Sequence, residues 1–463
     1  MSRKTKPRSI YVLLFITVLL ADSAFSQRNN SRIDSLLKAV YTIGVFNGNA
    51  LVVHKGKVIY RNSFGYADGS KTKLLDQAML FDIGSISKEF NGVGILVLQQ
   101  QGKLSLDDKL SRYIKGLPAW SDSIQLKQLI NYTSGLPATA ANSDTQILAE
   151  LKNLPRLAAA PGKIYIYSYS NVFLQRQIIE TLSGMSYAAF TGKYLLKPAG
   201  MKNSVVDLPV TSATMAKAFD NNFKETAYAQ GMTGWLRTSV DDLYQWLLQL
   251  DNFKIISKTS MKALAINFAD GESSLGDVRF EEDKLIWHQH HGSNYNYEAL
   301  ITDDVKNETV IVLVTNSQQF KVNAVTKAIT SIIKNEEYIV PKKSLYLDLR
   351  EKVLDDFNKG MAFYRDVKTN QQDRYDLSFE IGDIINTGKY IMRRQRYDDA
   401  ISLFMLGTTL PIAATDFSYA YQLTAECYQK KGYREMAILY LQKALEKDAA
   451  NANAKAMLNE LLK

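Results

Sequence analysis

The chain of 463 residues has little cysteine and no dense run of basic residues, and each shortage excludes a class of function. Its single cysteine, Cys427, excludes an internal disulfide and a metal site built from cysteines. The residues around Cys427 follow helical spacing, which favours a small, buried apolar side chain. The formal net charge of +9 is modest for this length and is spread along the chain. Nucleic-acid binding is therefore not supported.

Long apolar runs are also scarce, and the clearest one lies near the first residue. It covers Ile10–Ala21 and follows a basic start, Arg3–Arg8. The run is shorter than the ~20 residues that a membrane span needs. Ala24 and Ser26 then place small side chains where a signal peptidase reads them. We predict a signal peptide over residues 1–26, cut after Ser26, and a periplasmic or secreted protein with no membrane span. The remaining chain would carry a net charge of about +6.

The pattern after the signal segment predicts two domains, at residues 27–338 and 339–463. Residues 49–53 and 58–60 form a predicted hairpin, and residues 299–302 and 309–314 form two later predicted strands. Long helical stretches such as residues 241–250 lie between them. Strands at both ends with helices between them predict an α+β domain, in which both ends of the segment contribute to one antiparallel sheet flanked by helices.

The second predicted domain begins after a linker near Pro341 and has only helical patterns. Two of its segments align with an offset of 37 residues: Gly388, Ile391, Ala400 and Phe404 match Ala425, Tyr428, Ala437 and Leu441. These spacings resemble the tetratricopeptide repeat, whose period is about 34 residues. We therefore predict an all-α, tetratricopeptide-like domain. It would either bind a protein partner or stabilise the first domain.

A Ser-x-x-Lys pattern supplies the candidate nucleophile. On a helix the two side chains share a face, and a neutral lysine accepts the serine proton. The chain contains the pattern four times, beginning at Ser35, Ser70, Ser85 and Ser331. Among these copies, the one at Ser85 alone follows an apolar strand-like segment and a glycine, and precedes a long apolar helix. The context therefore selects Ser85 with Lys88.

Two later segments add polar groups suited to acyl chemistry. After Pro161 and Gly162 comes a predicted aromatic-rich strand and then Tyr169-Ser170-Asn171. A tyrosine transfers protons, and an asparagine amide holds a substrate carbonyl. Further on, the segment Trp287–Gly292 is a predicted strand that ends in a glycine, where a substrate backbone has room to approach.

These segments together resemble a known family. Phe81–Lys88 (FDIGSISK) is similar to the nucleophile segment of class C β-lactamases, DD-peptidases and related esterases. Tyr169-Ser170-Asn171 resembles their Tyr-x-Asn element, and His290-His291-Gly292 the His-x-Gly form of their Lys-Thr-Gly element. The order and spacing agree from about residue 40 to residue 320. The resemblance implies a β-lactamase/transpeptidase-like fold with an additional helical subdomain.

The resemblance also implies a role for each matched residue. Ser85 would form an acyl-enzyme, while Lys88 and Tyr169 would share the proton transfer, with the identity of the base left open. Asn171 would contact the substrate amide, and His290 would face the pocket beside Gly292. The backbone N–H groups of Ser85 and Ser293 would form the oxyanion hole. The implied function is hydrolysis of an amide or ester, in a peptide with D-residues or a small ester, without a metal or other cofactor.

Some residues depart from the family pattern. Tyr132 stands where relatives have a histidine, and Asn296-Tyr297 replaces a Gly-Phe pair. The charged segment 271–284 lacks the usual Gly-x-Gly-Trp hairpin sequence. We place the last two changes at the pocket wall, where they bear on substrate specificity.

Two alternatives stay open at this point. His288 and His290 project from one face of a strand, and a metal ion could use both. The second alternative is a catalytically weak, penicillin-binding-like sensor, with the helical tail as its interaction module.

Overall fold

The structure is a computed structural model that describes residues 27–139, 141–227, 231–268, 271–411 and 413–462. The predicted signal peptide lies outside the described residues. Two compact units are present: one reaches Val340 except for Ile43–Val45, and the other combines Ile43–Val45 with Pro341–Lys463. The domain boundaries inferred from the sequence stay a prediction. None of the described helices is long and apolar enough to cross a membrane.

The first unit is built around a six-stranded antiparallel sheet. The strands of the whole unit are β1 (Gly48–His54), β2 (Lys57–Phe64), β3 (Phe81–Asp82), β4 (Val205–Val206), β5 (Leu236–Thr238), β6 (Asp277–Glu281), β7 (Lys284–Asn294), β8 (Tyr297–Asp304) and β9 (Thr309–Thr315). The sheet order is β2-β1-β9-β8-β7-β6, and β3, β5 and β4 form a separate small sheet. Pairing of β1 with β9 confirms that strands from both ends of the segment build one sheet.

The β1–β2 hairpin shows how local sequence sets this register. Lys55 and Gly56 both have positive φ, 50° and 71°, as a type I′ turn requires. The turn joins His54 of β1 to Lys57 of β2. Residues 48–53 of β1 are all buried, so both faces of the strand are covered and its sequence is largely an apolar run.

Helices precede β1, connect the early strands to the late ones along the chain, and follow β9. They are α1 (residues 27–42), α2 (Ser87–Gln100), α3 (Leu110–Tyr113), α4 (Leu126–Ile130), α5 (Asp144–Asn153), α6 (Tyr169–Ser183), α7 (Tyr187–Thr191), α8 (Lys197–Ala199), α9 (Val240–Asp251), α10 (Lys258–Leu264) and α11 (Val322–Ile333). Helix α2 is buried at every position from Ser87 to Leu98, as expected for a helix in the centre of a domain. Its early polar residues therefore lie in surroundings from which water is largely excluded.

The second unit is helical, as predicted. It contains α12 (Leu345–Asp355), α13 (Phe357–Asn370), α14 (Glu380–Met392), α15 (Tyr397–Gly407), α16 (Ala414–Lys430), α17 (Arg434–Lys447) and α18 (Ala452–Leu461), with two short strands, β10 (Lys343–Ser344) and β11 (Tyr375–Asp376). Gly388 and Phe404 meet where α14 and α15 pack together, and Cys427 is buried in the same core. Ala425, Ala437 and Leu441 belong to the core between α16 and α17. The tetratricopeptide assignment stays a prediction.

Candidate active site

The Ser85 side chain stands on a short 3₁₀ turn, Gly84–Ile86, between β3 and α2. Gly84 has a φ of +52°, and a Cβ atom there would lie 2.4 Å from the backbone nitrogen of Ser293. Only glycine avoids both the backbone strain and this clash. The turn therefore lies directly against β7.

Asp82 fixes this turn relative to the neighbouring strands. One of its carboxylate oxygens accepts the Gly84 N–H at 2.7 Å, and the other accepts the Asn294 side chain at 2.8 Å. Arg237 from β5 forms a buried ion pair with Asp82 at 3.1 Å. With these three partners, the Asp82 carboxylate links the Ser85 turn to the end of β7 and to β5.

Lys88 lies one helical turn after Ser85, and its Nζ donates to the Ser85 Oγ at 2.7 Å. The residue is only 5% exposed. Burial lowers the pKa of the Lys88 ammonium to about 7, against the opposing attraction of Glu272 and Asp82. A substantial neutral fraction at neutral pH lets this amine accept a proton from Ser85.

The tyrosine that meets Ser85 is Tyr167. Its hydroxyl lies 2.7 Å from the Ser85 Oγ, and its ring centroid lies 4.7 Å from the Lys88 Nζ. Withdrawal of this hydroxyl from solvent raises the pKa of Tyr167 to about 12, although the hydrogen bond with Ser85 acts in the opposite direction. Tyr167 is therefore a phenol at neutral pH.

The structure does not bring the predicted Tyr169 and Asn171 to Ser85, so both assignments are corrected. The Tyr169 hydroxyl donates to the Thr233 carbonyl at 2.6 Å, and its ring stacks on Trp235. Asn171 is fully buried and accepts a hydrogen bond from Ser134. The predicted strand is a loop that ends where α6 begins at Tyr169, so successive residues there point in different directions.

Tyr132 supports the Tyr167 ring from behind. It is buried, and its ring centroid lies 5.3 Å from that of Tyr167 and 5.9 Å from that of Tyr165. Its φ of +57° is unusual for a bulky residue and is the kind of strain that accumulates at functional sites. The Tyr132 carbonyl also accepts the Ile166 N–H at 2.9 Å, which fixes the loop that carries Tyr167.

Strand β7 contributes to the site with a different register from the one predicted. His290 is 3% exposed and points away from the pocket, while His291 and Ser293 line it. Gly292 is required for packing, because a Cβ there would lie 1.9 Å from the Ile83 carbonyl oxygen. Side chains alternate between faces along a strand, so His290 and His291 necessarily face opposite ways.

A buried acid–histidine cluster lies behind this strand, and the sequence analysis missed it. It consists of Glu89, Asp251, His288 and His290. The Glu89 Oε1 lies 2.7 Å from the His290 Nδ1 and 3.2 Å from the His288 Nε2. The His288 Nδ1 lies 2.8 Å from the Asp251 Oδ1. Burial opposes charge on His288, but Asp251 and Glu89 hold its pKa well above the ordinary value. The signal in the sequence was the acidic residue directly after Lys88.

The metal alternative gains no support from this cluster. His288 and His290 both direct ring nitrogens at Glu89 instead of at a shared open position. Throughout the described ranges, no group of three or more His, Cys, Asp or Glu side chains is arranged to hold a metal ion.

The pocket beside Ser85 is an open cleft of about 420 Å³. It is lined by Ser85, Tyr165, Tyr167, Gly271, Glu272, His291 and Ser293. Tyr297, predicted at the pocket wall, is instead buried with its hydroxyl on the Ala216 carbonyl, and Asn296 donates to Thr226. The charged segment 271–284 does reach the wall at residues 271 and 272, and its later part forms β6, paired with β7.

Comparison with known proteins agrees with this geometry. The sequence profile described as Beta-lactamase matches residues 33–332. The chain belongs to the Beta-lactamase family. Family members are typically serine hydrolases. Penicillin-binding protein 4* of Bacillus subtilis (strain 168) is 25% identical over 374 residues, which cover 71% of this chain and 81% of that protein.

Solved structures show the same fold at lower identity. A class C β-lactamase superposes with a TM-score of 0.57 at 21% identity, covering 66% of this chain and 96% of that one. A D-amino acid amidase from Ochrobactrum anthropi SV3, complexed with L-phenylalanine amide, superposes with a TM-score of 0.56 at 18% identity, covering 66% and 98%. The β-lactamase/transpeptidase-like fold expected from the sequence is thereby confirmed for the first unit.

Proposed function

We propose that this chain is an exported serine hydrolase that forms an acyl-enzyme on Ser85 from an amide or ester. One observation carries the proposal: the Ser85 Oγ lies 2.7 Å from both the Lys88 Nζ and the Tyr167 hydroxyl, at an open cleft. A nucleophile with an amine and a phenol in hydrogen-bond reach has the parts that acyl transfer requires.

In the proposed acylation step, neutral Lys88 takes the Ser85 proton while the Oγ attacks the carbonyl carbon. Tyr167 then passes a proton to the leaving nitrogen or oxygen, and the proton on Lys88 restores that of Tyr167. The pKa values favour this order, since Lys88 titrates near 7 and Tyr167 near 12. Water then attacks the ester of Ser85 by the reverse proton path and releases the acid.

The negative charge that develops on the carbonyl oxygen needs donors. We assign this role to the backbone N–H groups of Ser85 and Ser293. The close packing at Gly84 and Gly292 supports the assignment. A Cβ on Gly84 would lie 2.4 Å from the Ser293 nitrogen, and one on Gly292 would lie 2.9 Å from the Ser85 nitrogen, so the turn and β7 are in direct contact.

The substrate class that fits best is a peptide or amide containing a D-residue, with a small ester as the second choice. Support comes from relatives whose names are penicillin-binding protein and D-amino acid amidase. We also propose that residues 1–26 direct export and are removed. N-terminal sequencing of the protein from the periplasm or medium should begin at Gln27. The helical unit is proposed to engage a protein partner.

Labelling of the nucleophile tests the proposal. A fluorescent penicillin or an acyl-phosphonate should modify the protein, and mass spectrometry should locate the adduct on the peptide that carries Ser85. Ser85→Ala should abolish labelling. Ser35→Ala is the matched control, because Ser35 begins another Ser-x-x-Lys pattern but its hydroxyl donates to the Ser31 carbonyl on α1. Absence of both an adduct and hydrolysis would instead favour the sensor alternative.

A further inference from the structure

The charge of the residues that line the cleft affects which substrate groups can bind there. Among the described residues that line it, Glu272 bears the formal charge, and the others are hydroxyl-bearing, glycine or histidine. The Glu272 side chain is exposed, and its charge acts on Lys88, Tyr165 and Tyr167. A fixed negative charge thus stands beside the nucleophile.

Tyr165 holds the segment that carries this charge. A Cβ atom on Gly271 would lie 2.3 Å from the Tyr165 ring, so the ring packs flush against this backbone. Glu272 is therefore held at the cleft by a side chain that itself lines the cleft.

His291 lines the cleft on the β7 side. Its Nε2 lies 3.0 Å from the Oε1 of Glu298, which is 1% exposed. The other oxygen of Glu298 accepts the backbone N–H groups of Gln319 and Phe320. The Glu298 carboxylate accepts a hydrogen bond from the Nε2–H of His291, and this contact holds the imidazole at the edge of the cleft.

We propose that Glu272 and His291 form a subsite for a protonated amino group of the substrate, close to the carbonyl that Ser85 attacks. The proposal rests on the proposed hydrolase function and specifies its substrate. An ammonium group supplies a positive charge for Glu272 and N–H donors for the polar groups that line the cleft, whereas a carboxylate would be repelled by Glu272.

Three p-nitroanilides that differ only in their amino group test the subsite at pH 7.0. D-alanine p-nitroanilide carries an ammonium group, its N-acetyl form is neutral, and its N-succinyl form is anionic. We expect kcat/KM to fall in that order, with the ammonium substrate preferred by about fivefold over the neutral one. The preference should shrink in 0.5 M NaCl, since salt screens a partly exposed charge pair.

Glu272→Gln should reduce the ratio of ammonium to neutral kcat/KM by about three- to fivefold, chiefly through KM. His291→Phe should reduce it by a smaller factor. The ratio isolates amine recognition, because both substrates use the same nucleophile. Glu281→Gln is the matched control: this exposed carboxylate on β6 pairs with Lys306 outside the cleft, and its removal should leave the ratio unchanged.

The failure of this subsite is distinguishable from failure of the hydrolase proposal. Labelled Ser85 together with an equal ratio in the wild type and Glu272→Gln overturns the subsite alone, as does a preference for the N-succinyl substrate. If turnover is too slow to measure, protection of Ser85 from phosphonate labelling by D-alanine amide or its N-acetyl form gives the same comparison. Absence of labelling and of turnover overturns both proposals.

Discussion

Lys88 should make acylation of Ser85 depend on pH near neutrality. An ordinary lysine has a pKa of 10.5, while burial lowers that of Lys88 to about 7. The shift corresponds to about 5 kcal/mol of free energy against the charged form. At pH 7 about half of the molecules would carry a neutral Lys88, compared with about one in three thousand for an unperturbed lysine. The folded environment thus raises the population of the base by about a thousandfold.

The assay is the second-order rate constant for acyl-phosphonate labelling of Ser85 between pH 5 and pH 9. The rate should rise with pH because deprotonation creates the base, with a midpoint near 7 and a plateau above it. Lys88→Arg should lower the plateau by about a thousandfold, since a guanidinium stays charged. Lys38→Arg, in the look-alike pattern on α1, should leave the rate unchanged. A midpoint near 10, or normal labelling of Lys88→Arg in a folded protein, would refute Lys88 as the base.

Three further changes test other parts of the site. Tyr167→Phe should lower kcat for anilide hydrolysis by about a hundredfold, and Tyr169→Phe by less than tenfold; the opposite ranking would restore the original tyrosine assignment. Glu89→Gln should lower the free energy of unfolding in urea by about 3 kcal/mol at pH 7, since it leaves the buried His290 without its carboxylate and His288 with Asp251 alone. Burial opposes ionisation of Glu89, but the two histidines hold its pKa at about 2. The stability that the Glu89 carboxylate contributes is therefore present above pH 4.5 and is lost as the pH falls towards 2. Equal acid sensitivity of the wild type and the variant would contradict this role. Gly292→Ala should abolish phosphonate labelling while Gly192→Ala, at a site with open space, should not; full labelling of the first would show that β7 can move away from the nucleophile turn.

The strand pattern and the nucleophile were predictable because they depend on short-range signals. Short apolar runs bounded by turns identified β1, β2, β8 and β9, and the glycine before an apolar helix separated Ser85 from three look-alikes. Both signals are local, since a short apolar run and the start of a helix are encoded within a few residues.

Side-chain direction near the site was harder to predict. Tyr167-Ser168 and Tyr169-Ser170 are consecutive copies of one dipeptide, and the choice between them depends on where α6 begins. Choosing between His290 and His291 likewise depends on which face of β7 turns towards α2, and a shift of one residue reverses it. The orientation of His290 is set by its contact with Glu89, about two hundred positions earlier in the chain. The local sequence therefore could not predict it.

The pairing of β1 with β9 has a consequence for how the protein acquires its structure. The Thr315 hydroxyl donates to the Asn47 carbonyl, 268 residues earlier in the chain, and the two strands are central neighbours in the sheet. Such high contact order makes folding slow, because a very long loop must close before the contact is formed. On the ribosome, β1 would emerge long before its partner and present an unpaired, apolar edge in the interval. Holdase chaperones that cover such edges should therefore raise the yield of folded protein.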